Sequence, residues 1–394
     1  MKTLKDLNLK TKRVILRCDF DDVFDGRGNL VDDFKIQKII PTIQYLLFQN
    51  ARIIIIAHGK NVFNEHRILT KKEISNIFNF QKIAEYISKN IDRPVKFYKD
   101  LLSENLKKTV EAMQPRDIIL LENLSLYPQE IENSLPFAQQ ISLLGEAYIN
   151  EAFSMACYQY ATITDLPLLI PSCAGLLFEQ ELLELSKITL NPQRPLIALM
   201  GGSNLTARIG IIERLSSVAD HLLIGGEIAN FILAAKKITI GKLFHDPFLD
   251  TIASKIDLTN QKIHLPVDSM VSLSTIDNEY MHISAIGTIK KEEQCYDIGP
   301  ETVLLFSDIL KTAQTIFWSG SMGMFENEKF ANGTRELAKV IAHTNGYKIV
   351  AGRSTIAFLK IADLRDKMSF ISLGELSALK FVAGESIVGV DVLD

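Results

Sequence analysis

The sequence predicts an α/β protein of two lobes, each a parallel β-sheet flanked by helices. Short apolar runs alternate with segments of helical periodicity, and this pattern is typical of parallel strands covered by helices. A chain of 394 residues is too long for one ordinary hydrophobic core, and the alternation occurs in both halves. Helical spacing of apolar residues at 179–188 predicts a rigid connection between the lobes.

The individual elements follow from local composition. Runs rich in β-branched and aliphatic residues predict strands in the first half at 13–16, 53–57, 95–98, 118–121 and 147–150. Apolar residues at helical spacing predict intervening helices, for example at 35–49 and 80–89. In the second half the predicted strands are 196–200, 221–224, 263–266, 315–318, 348–350 and 370–372.

Composition excludes several classes of protein. The chain is 47% apolar and 23% charged, as in a soluble globular protein, and its net charge of −4 gives no reason to expect a nucleic-acid partner. No apolar run is long enough to cross a bilayer, and the N-terminus lacks the apolar core of a secretion signal. The four cysteines are far apart and form no CxxC pair, so we expect a cytoplasmic protein without disulfides.

One loop is the most informative feature of the chain. The run W-S-G-S-M-G-M-F-E begins at Trp318 and directly follows the apolar residues 315–317. Gly320 and Gly323 allow the backbone to turn where a Cβ would collide. Loops at the carboxyl ends of parallel strands are where α/β proteins bind ligands. No G-x-x-x-x-G-K-[ST] motif occurs, so the chain is not a P-loop protein.

This loop resembles the signature W-N-G-P-M-G-V-F-E of phosphoglycerate kinase. Further motifs follow the family's order: R-C-D-F, V-D-D, A-H, L-L-E-N-L, N-E-A-F, L-M-G-G-S, I-G-G-E-I-A, L-P-V-D, D-I-G-P-E-T and F-A-N-G-T. The resemblance implies a phosphoglycerate-binding lobe at 1–174, a connecting helix at 175–190 and a nucleotide-binding lobe at 191–380. It also implies that the tail at 381–394 returns to the N-terminal lobe, and that a helical hinge joins the lobes.

On the phosphoglycerate side, the resemblance implies a cluster of cations, because the substrate carries several negative charges. It places the catalytic cation, an arginine in the family, at Lys35. The implied substrate-binding positions are Arg17, Asp19, Asp21, His58, Asn61, Ser125 and Tyr158. Three of these positions hold neutral residues where the family has arginine, and Asp21 replaces an asparagine. We expect binding of an acidic substrate to be weakened accordingly.

On the nucleotide side, glycine-rich turns follow several strands. The implied nucleotide-binding positions are Gly201, Gly202, Asn204, Arg208, Gly226, Gly320, Glu326, Gly352, Ser354, Thr355 and Gly374. Ser354 stands where the family has the aspartate that holds magnesium, so no metal-binding residue is predicted. Glu375 places a negative charge beside the expected phosphate cradle. The implied cofactor is Mg-ATP or Mg-ADP if nucleotide binding is retained, and otherwise there is none.

Three hypotheses follow. The first is a phosphoglycerate kinase homologue that has lost catalysis and has a binding or regulatory role. The second is a divergent but active phosphoglycerate kinase in glycolysis, and the third is a sensor or enzyme for another small ligand in the same cleft. We expect a monomer that binds nucleotide and an acidic small molecule and has no membrane partner, and the sequence leaves any protein partner unknown. A purely structural role for the retained residues and glycine turns is the alternative interpretation.

Overall fold

The computed structural model describes residues 1–25, 27–59, 79–206, 208–242, 255–257, 259–275 and 280–393. The predicted position Asn61 lies outside these residues. The chain forms two compact units. Unit 1 comprises Met1–Leu182 and Ser386–Asp394, and unit 2 comprises Leu183–Glu385.

Unit 1 is built on a parallel six-stranded sheet in the order β3-β4-β2-β1-β5-β6. Its strands are β1 (Arg13–Asp19), β2 (Arg52–His58), β3 (Val95–Tyr98), β4 (Ile118–Leu121), β5 (Ala147–Asn150) and β6 (Ser172–Ala174). The central strands are buried along almost their whole length, which is why they read as continuous apolar runs. Both β1 and β2 extend further than predicted and end at the polar residues Asp19 and His58.

Helices pack on this sheet through their apolar faces. The α-helices of unit 1 are Phe34–Phe48, Phe80–Ile91, Glu104–Glu111, Pro128–Ile131, Leu135–Ser142, Ala161–Thr164, Leu166–Leu169 and Val388–Asp391, together with the first part of Leu176–Thr189. Ser103 caps the helix Glu104–Glu111 by accepting a hydrogen bond from the backbone N–H of Leu106. The last residues join this unit through backbone hydrogen bonds, including Lys2 N to Leu393 O at 2.8 Å.

Unit 2 contains a second parallel sheet in the order β15-β14-β13-β7-β8-β9. Its strands are β7 (Leu196–Met200), β8 (His221–Ile224), β9 (Ile263–His264), β13 (Thr315–Ser319), β14 (Tyr347–Ala351) and β15 (Phe370–Ile371). The strands β7 and β13 are buried throughout and form the centre of this unit. Its α-helices are Ile209–Val218, Gly226–Ala235, Pro300–Leu310, Asn332–His343, Arg353–Ile361 and Glu375–Ala383, with the second part of Leu176–Thr189.

A three-stranded antiparallel sheet also lies in unit 2 and was not predicted. It consists of β10 (Asp268–Ser272), β11 (Met281–Ala285) and β12 (Gln294–Ile298), in the order β11-β10-β12. Polar residues and partial exposure hide β11 and β12 from a search for apolar runs. Among the described helices, none is long and apolar enough to cross a membrane.

Candidate functional site

The carboxyl ends of β1 and β2 in unit 1 hold a buried ion network around Arg17. The Arg17 side chain is fully buried. Its guanidinium donates hydrogen bonds to Thr162 Oγ1 at 2.8 Å and to His58 Nδ1 at 2.7 Å, and it lies 3.5 Å from Glu130 Oε1. The Glu130 carboxylate also accepts a hydrogen bond from the Thr162 backbone N–H at 3.0 Å. Arg17 therefore joins four elements of the unit 1 core.

His58 has a defined tautomer in this network. Because an arginine only donates, Nδ1 of His58 accepts and Nε2 carries the proton. Nε2 has no hydrogen-bond partner among the described residues. Burial, together with the positive charge of Arg17, lowers the pKa of His58 well below its ordinary value of 6.5. The imidazole is therefore neutral at pH 7 and supplies no positive charge to an anionic ligand.

Two tyrosines continue outward from His58 as a stack of rings. The Tyr160 ring lies 5.3 Å from the His58 ring, with an interplanar angle of 22°. The Tyr158 ring lies 5.4 Å from the Tyr160 ring, again at 22°. Tyr158 is 38% exposed, whereas Tyr160 is buried. At Tyr158, where the resemblance implies an arginine, this chain presents an aromatic face without a positive charge.

Lys35, the predicted catalytic cation, is held by a carboxylate. Its Nζ lies 2.6 Å from Oδ2 of Asp19, and both side chains are largely buried. Ser154 Oγ donates to the same oxygen at 2.6 Å, and the Asp21 backbone N–H donates to Oδ1 at 2.9 Å. Burial opposes ionisation of Asp19, but Lys35 and these donors outweigh it and lower the pKa of Asp19 to about 2. The lysine charge is therefore compensated within unit 1.

Ser125 also has a structural partner. Its side chain is fully buried, and its hydroxyl donates to the Gly59 backbone oxygen at 2.8 Å. The Gly59 backbone N–H in turn donates to Asn123 Oδ1 at 2.8 Å. The Ser125 hydroxyl thus holds the backbone in place directly after β2. The roles of Ser125 and of the other unit 1 positions in substrate binding stay predictions.

Unit 2 contains a cavity of about 300 Å³ at the carboxyl ends of β7 and β13. This volume is at the lower end of the range for small-molecule sites, which is about 300–1,000 Å³. Predicted nucleotide-binding residues that line it are Gly202, Gly226, Glu326 and Ser354. Apolar walls are supplied by Ile298 and Met322. The cavity therefore combines an apolar wall with polar groups at the ends of strands, as in many ligand sites of α/β proteins.

The turns beside this cavity need glycine. Gly320 has φ of +98°, and a Cβ there would lie 2.1 Å from the Gly201 backbone oxygen. Backbone hydrogen bonds join the same loops, from Gly201 N to Ser319 O at 2.9 Å and from Gly202 N to Ser321 O at 2.6 Å. Thr355 Oγ1 accepts the Gly320 N–H at 2.7 Å. The loops that follow β7 and β13 are consequently fixed against each other.

Arg208 lies among these loops. Its Nη1 donates to Ser319 Oγ at 3.0 Å and lies 3.3 Å from the Ser319 backbone oxygen. A Cβ built on Gly202 or Gly352 would lie 3.6 Å or 3.8 Å from its Nη2. Burial lowers the pKa of Arg208 to about 10, so the guanidinium is still charged at pH 7. This predicted nucleotide-binding residue therefore carries a partly desolvated positive charge beside two glycine turns.

The next cation, Arg353, is paired with Glu375. Its Nε and Nη2 lie 3.2 Å and 2.7 Å from Glu375 Oε2. Glu375 is the first residue of the helix Glu375–Ala383, where the resemblance places the phosphate cradle, and Gly374 is its N-cap. Ser354 lines the cavity and offers a hydroxyl where the resemblance implies a metal-binding carboxylate. Asn204 lies on the Gly202 loop with φ of +61°.

One buried acid of the cavity was missed by the sequence analysis. Asp297 is 5% exposed, and its two oxygens accept the backbone N–H groups of Ile298 at 2.9 Å and of Gly333 at 2.7 Å. Burial raises the pKa of Asp297 to about 7, with those hydrogen bonds opposing the shift. It lies within the motif D-I-G-P-E-T, which was noted only as a family match. Its bonds to the backbone explain why an acid is buried in that motif.

The fold and the cavity define a protein of two α/β units with a ligand-sized site at the ends of parallel strands. A family model described as phosphoglycerate kinase matches residues 4–385. Proteins named phosphoglycerate kinase from Pelotomaculum thermopropionicum and Desulforudis audaxviator are 33% and 34% identical, and each alignment covers 100% of this chain and 98% of the relative. The chain therefore belongs to the phosphoglycerate kinase family.

Solved structures agree with this assignment. The phosphoglycerate kinase from Coxiella burnetii is 30% identical with a TM-score of 0.82, over 100% of this chain and 98% of that one. The enzyme from Pyrococcus horikoshii is 24% identical with a TM-score of 0.85, over the same shares, and it shows the same fold. The predicted fold class and the family resemblance are both confirmed. The role of each predicted site residue stays a prediction.

Proposed function

We propose that this chain is a nucleotide-binding member of the phosphoglycerate kinase family in which phosphoryl transfer has been lost or strongly weakened. Its role would then be binding or regulation. The observation that carries the proposal is the ion pair between Arg353 and Glu375 at the start of the helix Glu375–Ala383. A carboxylate at this position repels the phosphate that the family would place there, and it neutralises the nearest arginine.

Residues in unit 1 support the same proposal. Phosphoryl transfer depends mainly on positioning and on cations that stabilise the developing charge. Arg17 is fully buried and engaged with Glu130, and Lys35 is engaged with Asp19. Both positive charges are compensated by carboxylates, so each contributes less to the binding of an anionic substrate. The uncharged Tyr158 adds no compensating cation.

Magnesium does not fit the residues present at the expected metal position. Ser354 offers one neutral hydroxyl, and a hard dication prefers carboxylate oxygens. Among the described residues, the carboxylates that line the cavity are Asp297, whose two oxygens accept backbone N–H groups, Glu227 and Glu326, and the resemblance assigns none of them to the metal. No step of the proposed function therefore depends on magnesium.

A second candidate is a divergent but active phosphoglycerate kinase. The specific observation in its favour is the extent of the similarity, since the family model matches residues 4–385 and the curated relatives named as phosphoglycerate kinases are 30–34% identical. Taken alone, the comparisons support this candidate better than the first. The site geometry supports the first, because a working enzyme would need cations that are available to the substrate.

Location and assembly belong to the same proposal. None of the four cysteines forms a disulfide, and two of them, Cys18 and Cys173, are buried. Cysteines without disulfides are typical of a reducing compartment, which supports the predicted cytoplasmic location. We keep the monomeric state as a prediction to be tested by sedimentation of the purified chain.

Calorimetric titration of the purified chain with ADP and, separately, with 3-phosphoglycerate tests the proposal. We expect binding heat from ADP and none from 3-phosphoglycerate up to about 1 mM, which corresponds to a binding free energy weaker than about −4 kcal/mol. Binding of both ligands at micromolar concentrations would favour the active kinase. No heat from either ligand, with a folded protein, would refute nucleotide binding.

A matched pair of variants locates the ADP site. Ser203 is exposed and lines the cavity, so Ser203→Trp should obstruct the cavity without disturbing the core. Ser217→Trp makes the same change at an exposed helical position that does not line this cavity. We expect the first variant to lose ADP binding and the second to retain it. Equal loss in both would place ADP elsewhere.

A further inference from the structure

Three charged residues of unit 2 lie near the glycine turns of the cavity: Arg208, Arg353 and Glu375. Arg208 lies against the glycine turns, because a Cβ on Gly202 or on Gly352 would lie 3.6 Å or 3.8 Å from its guanidinium. Arg353 follows Gly352 directly in the chain and begins the helix Arg353–Ile361. Glu375 then binds Arg353 at 2.7 Å. The Gly352 turn therefore has beside it one cation that is hydrogen-bonded to Ser319 and a second cation that is paired with an anion.

The two arginines differ in their burial and in how far their charge is compensated. Arg208 is partly buried, and its hydrogen bonds to Ser319 hold the guanidinium in place. A desolvated, fixed guanidinium is an effective partner for one phosphate group. Arg353 is 53% exposed and shares its charge with Glu375, which is 21% exposed. The second arginine therefore adds little attraction, and the glutamate opposes any phosphate that reaches it.

We infer that the unit 2 cavity takes a nucleoside mono- or diphosphate in preference to a triphosphate, and that it does so without a divalent cation. The inference depends on the nucleotide site proposed above and specifies its ligand. The phosphate nearest the cavity is bound by Arg208 and by the glycine turns. Glu375 limits the length of the phosphate chain, and Arg208 replaces the charge that a metal would supply.

Calorimetric titrations of the full chain with AMP, ADP and ATP, each in magnesium and in EDTA, test this inference. We expect the ADP dissociation constant to change by less than about twofold between magnesium and EDTA, because Ser354 offers only a neutral hydroxyl at the position where the resemblance implies the metal-binding aspartate. We expect ATP to bind about tenfold more weakly than ADP in EDTA, because a like charge beside the terminal phosphate opposes binding.

The variant Glu375→Gln removes the negative charge and keeps the shape of the side chain. We expect it to strengthen ATP binding about tenfold while changing ADP binding much less. Glu385→Gln is the matched control, because Glu385 is a half-exposed glutamate just beyond the far end of the same helix. Far-ultraviolet circular dichroism establishes that both variants are folded.

Three results would overturn the inference while leaving the nucleotide site intact. These are a strict magnesium requirement for ADP, tighter binding of ATP than of ADP in EDTA, and an ATP affinity that Glu375→Gln leaves unchanged. Failure of all three nucleotides to bind in either buffer would have a different meaning. It would refute the proposed nucleotide site and the inference together.

Discussion

The ion pair between Lys35 and Asp19 gives a prediction whose size follows from the structure. The pKa of Asp19 falls from 3.8 to about 2, which at about 1.4 kcal/mol per unit corresponds to about 2 kcal/mol of stability at neutral pH. The variant Lys35→Met removes the largest stabilising cause and leaves a buried carboxylate. We therefore expect a loss of about 3 kcal/mol in the free energy of unfolding, in line with other broken buried pairs.

The sign of the pH dependence follows from the same shift. Because the folded pKa of Asp19 is lowered, its contribution is fully present above the unfolded value of 3.8 and is lost as the pH falls through about 2. Urea unfolding at several pH values, followed by far-ultraviolet circular dichroism, measures this contribution. The double variant Asp19→Asn with Lys35→Met should recover much of the loss, because it leaves no buried charge unpaired.

A matched control separates the ion pair from the general effect of losing a lysine. Lys38 lies on the same helix, with its Nζ 5.1 Å from the centre of the Phe34 ring. A methionine can retain the contact of Lys38 with that ring, so Lys38→Met should cost less than about 1 kcal/mol. If Lys35→Met is no more destabilising than Lys38→Met, the pair with Asp19 does not hold the lysine as we describe.

Three further predictions concern single positions. The variant Gly320→Ala should destabilise unit 2 by on the order of 3 kcal/mol in urea unfolding followed by Trp318 fluorescence. Gly287→Ala, at φ of +93° but with only an ordinary contact of its Cβ at 3.9 Å from Ile238 Cγ2, should cost only about 1 kcal/mol; equal losses would contradict the close approach of the loops. Burial raises the pKa of Glu151 to about 7, so the stability that its neutral form contributes is fully present below pH 4.5 and is lost as the pH rises through 7. Because Asp297 titrates in the same range, wild type should lose on the order of 3 kcal/mol more between pH 4 and 8 than the Glu151→Gln variant does, and equal losses would refute this. His58 should show no protonation near its ordinary pKa of 6.5 in an NMR titration assigned with His58→Gln, and a normal titration curve would contradict its burial against Arg17.

The parallel sheets could be predicted because buried strands carry a strong local signal. The strands β2 and β7 are apolar at nearly every position, so composition alone identifies them. The antiparallel sheet could not be found in the same way. Its strand β11 is partly exposed and contains polar residues, and its pairing with β10 depends on contacts between distant parts of the chain.

The site residues could be placed from motifs, but their partners could not. The sequence marks Arg17 as a conspicuous cation, yet Glu130 and Thr162, which bind it, are far away in the chain. The negative charge of Glu375 was expected to oppose a phosphate, but its pairing with Arg353 depends on how two helices begin side by side. Such long-range pairs decide whether a charge is available to a ligand, and local sequence carries little information about them.

Phosphoryl transfer from Mg-ATP to 3-phosphoglycerate by the purified chain is the measurement that tests the proposed loss of catalysis most directly. We predict that ADP formation will not exceed the rate in a protein-free control. Turnover within the ordinary enzyme range of about 1–10³ s⁻¹ would contradict the account. The Ser203→Trp variant serves as the control for contaminating kinases, because activity that comes from this chain must fall when the cavity is obstructed.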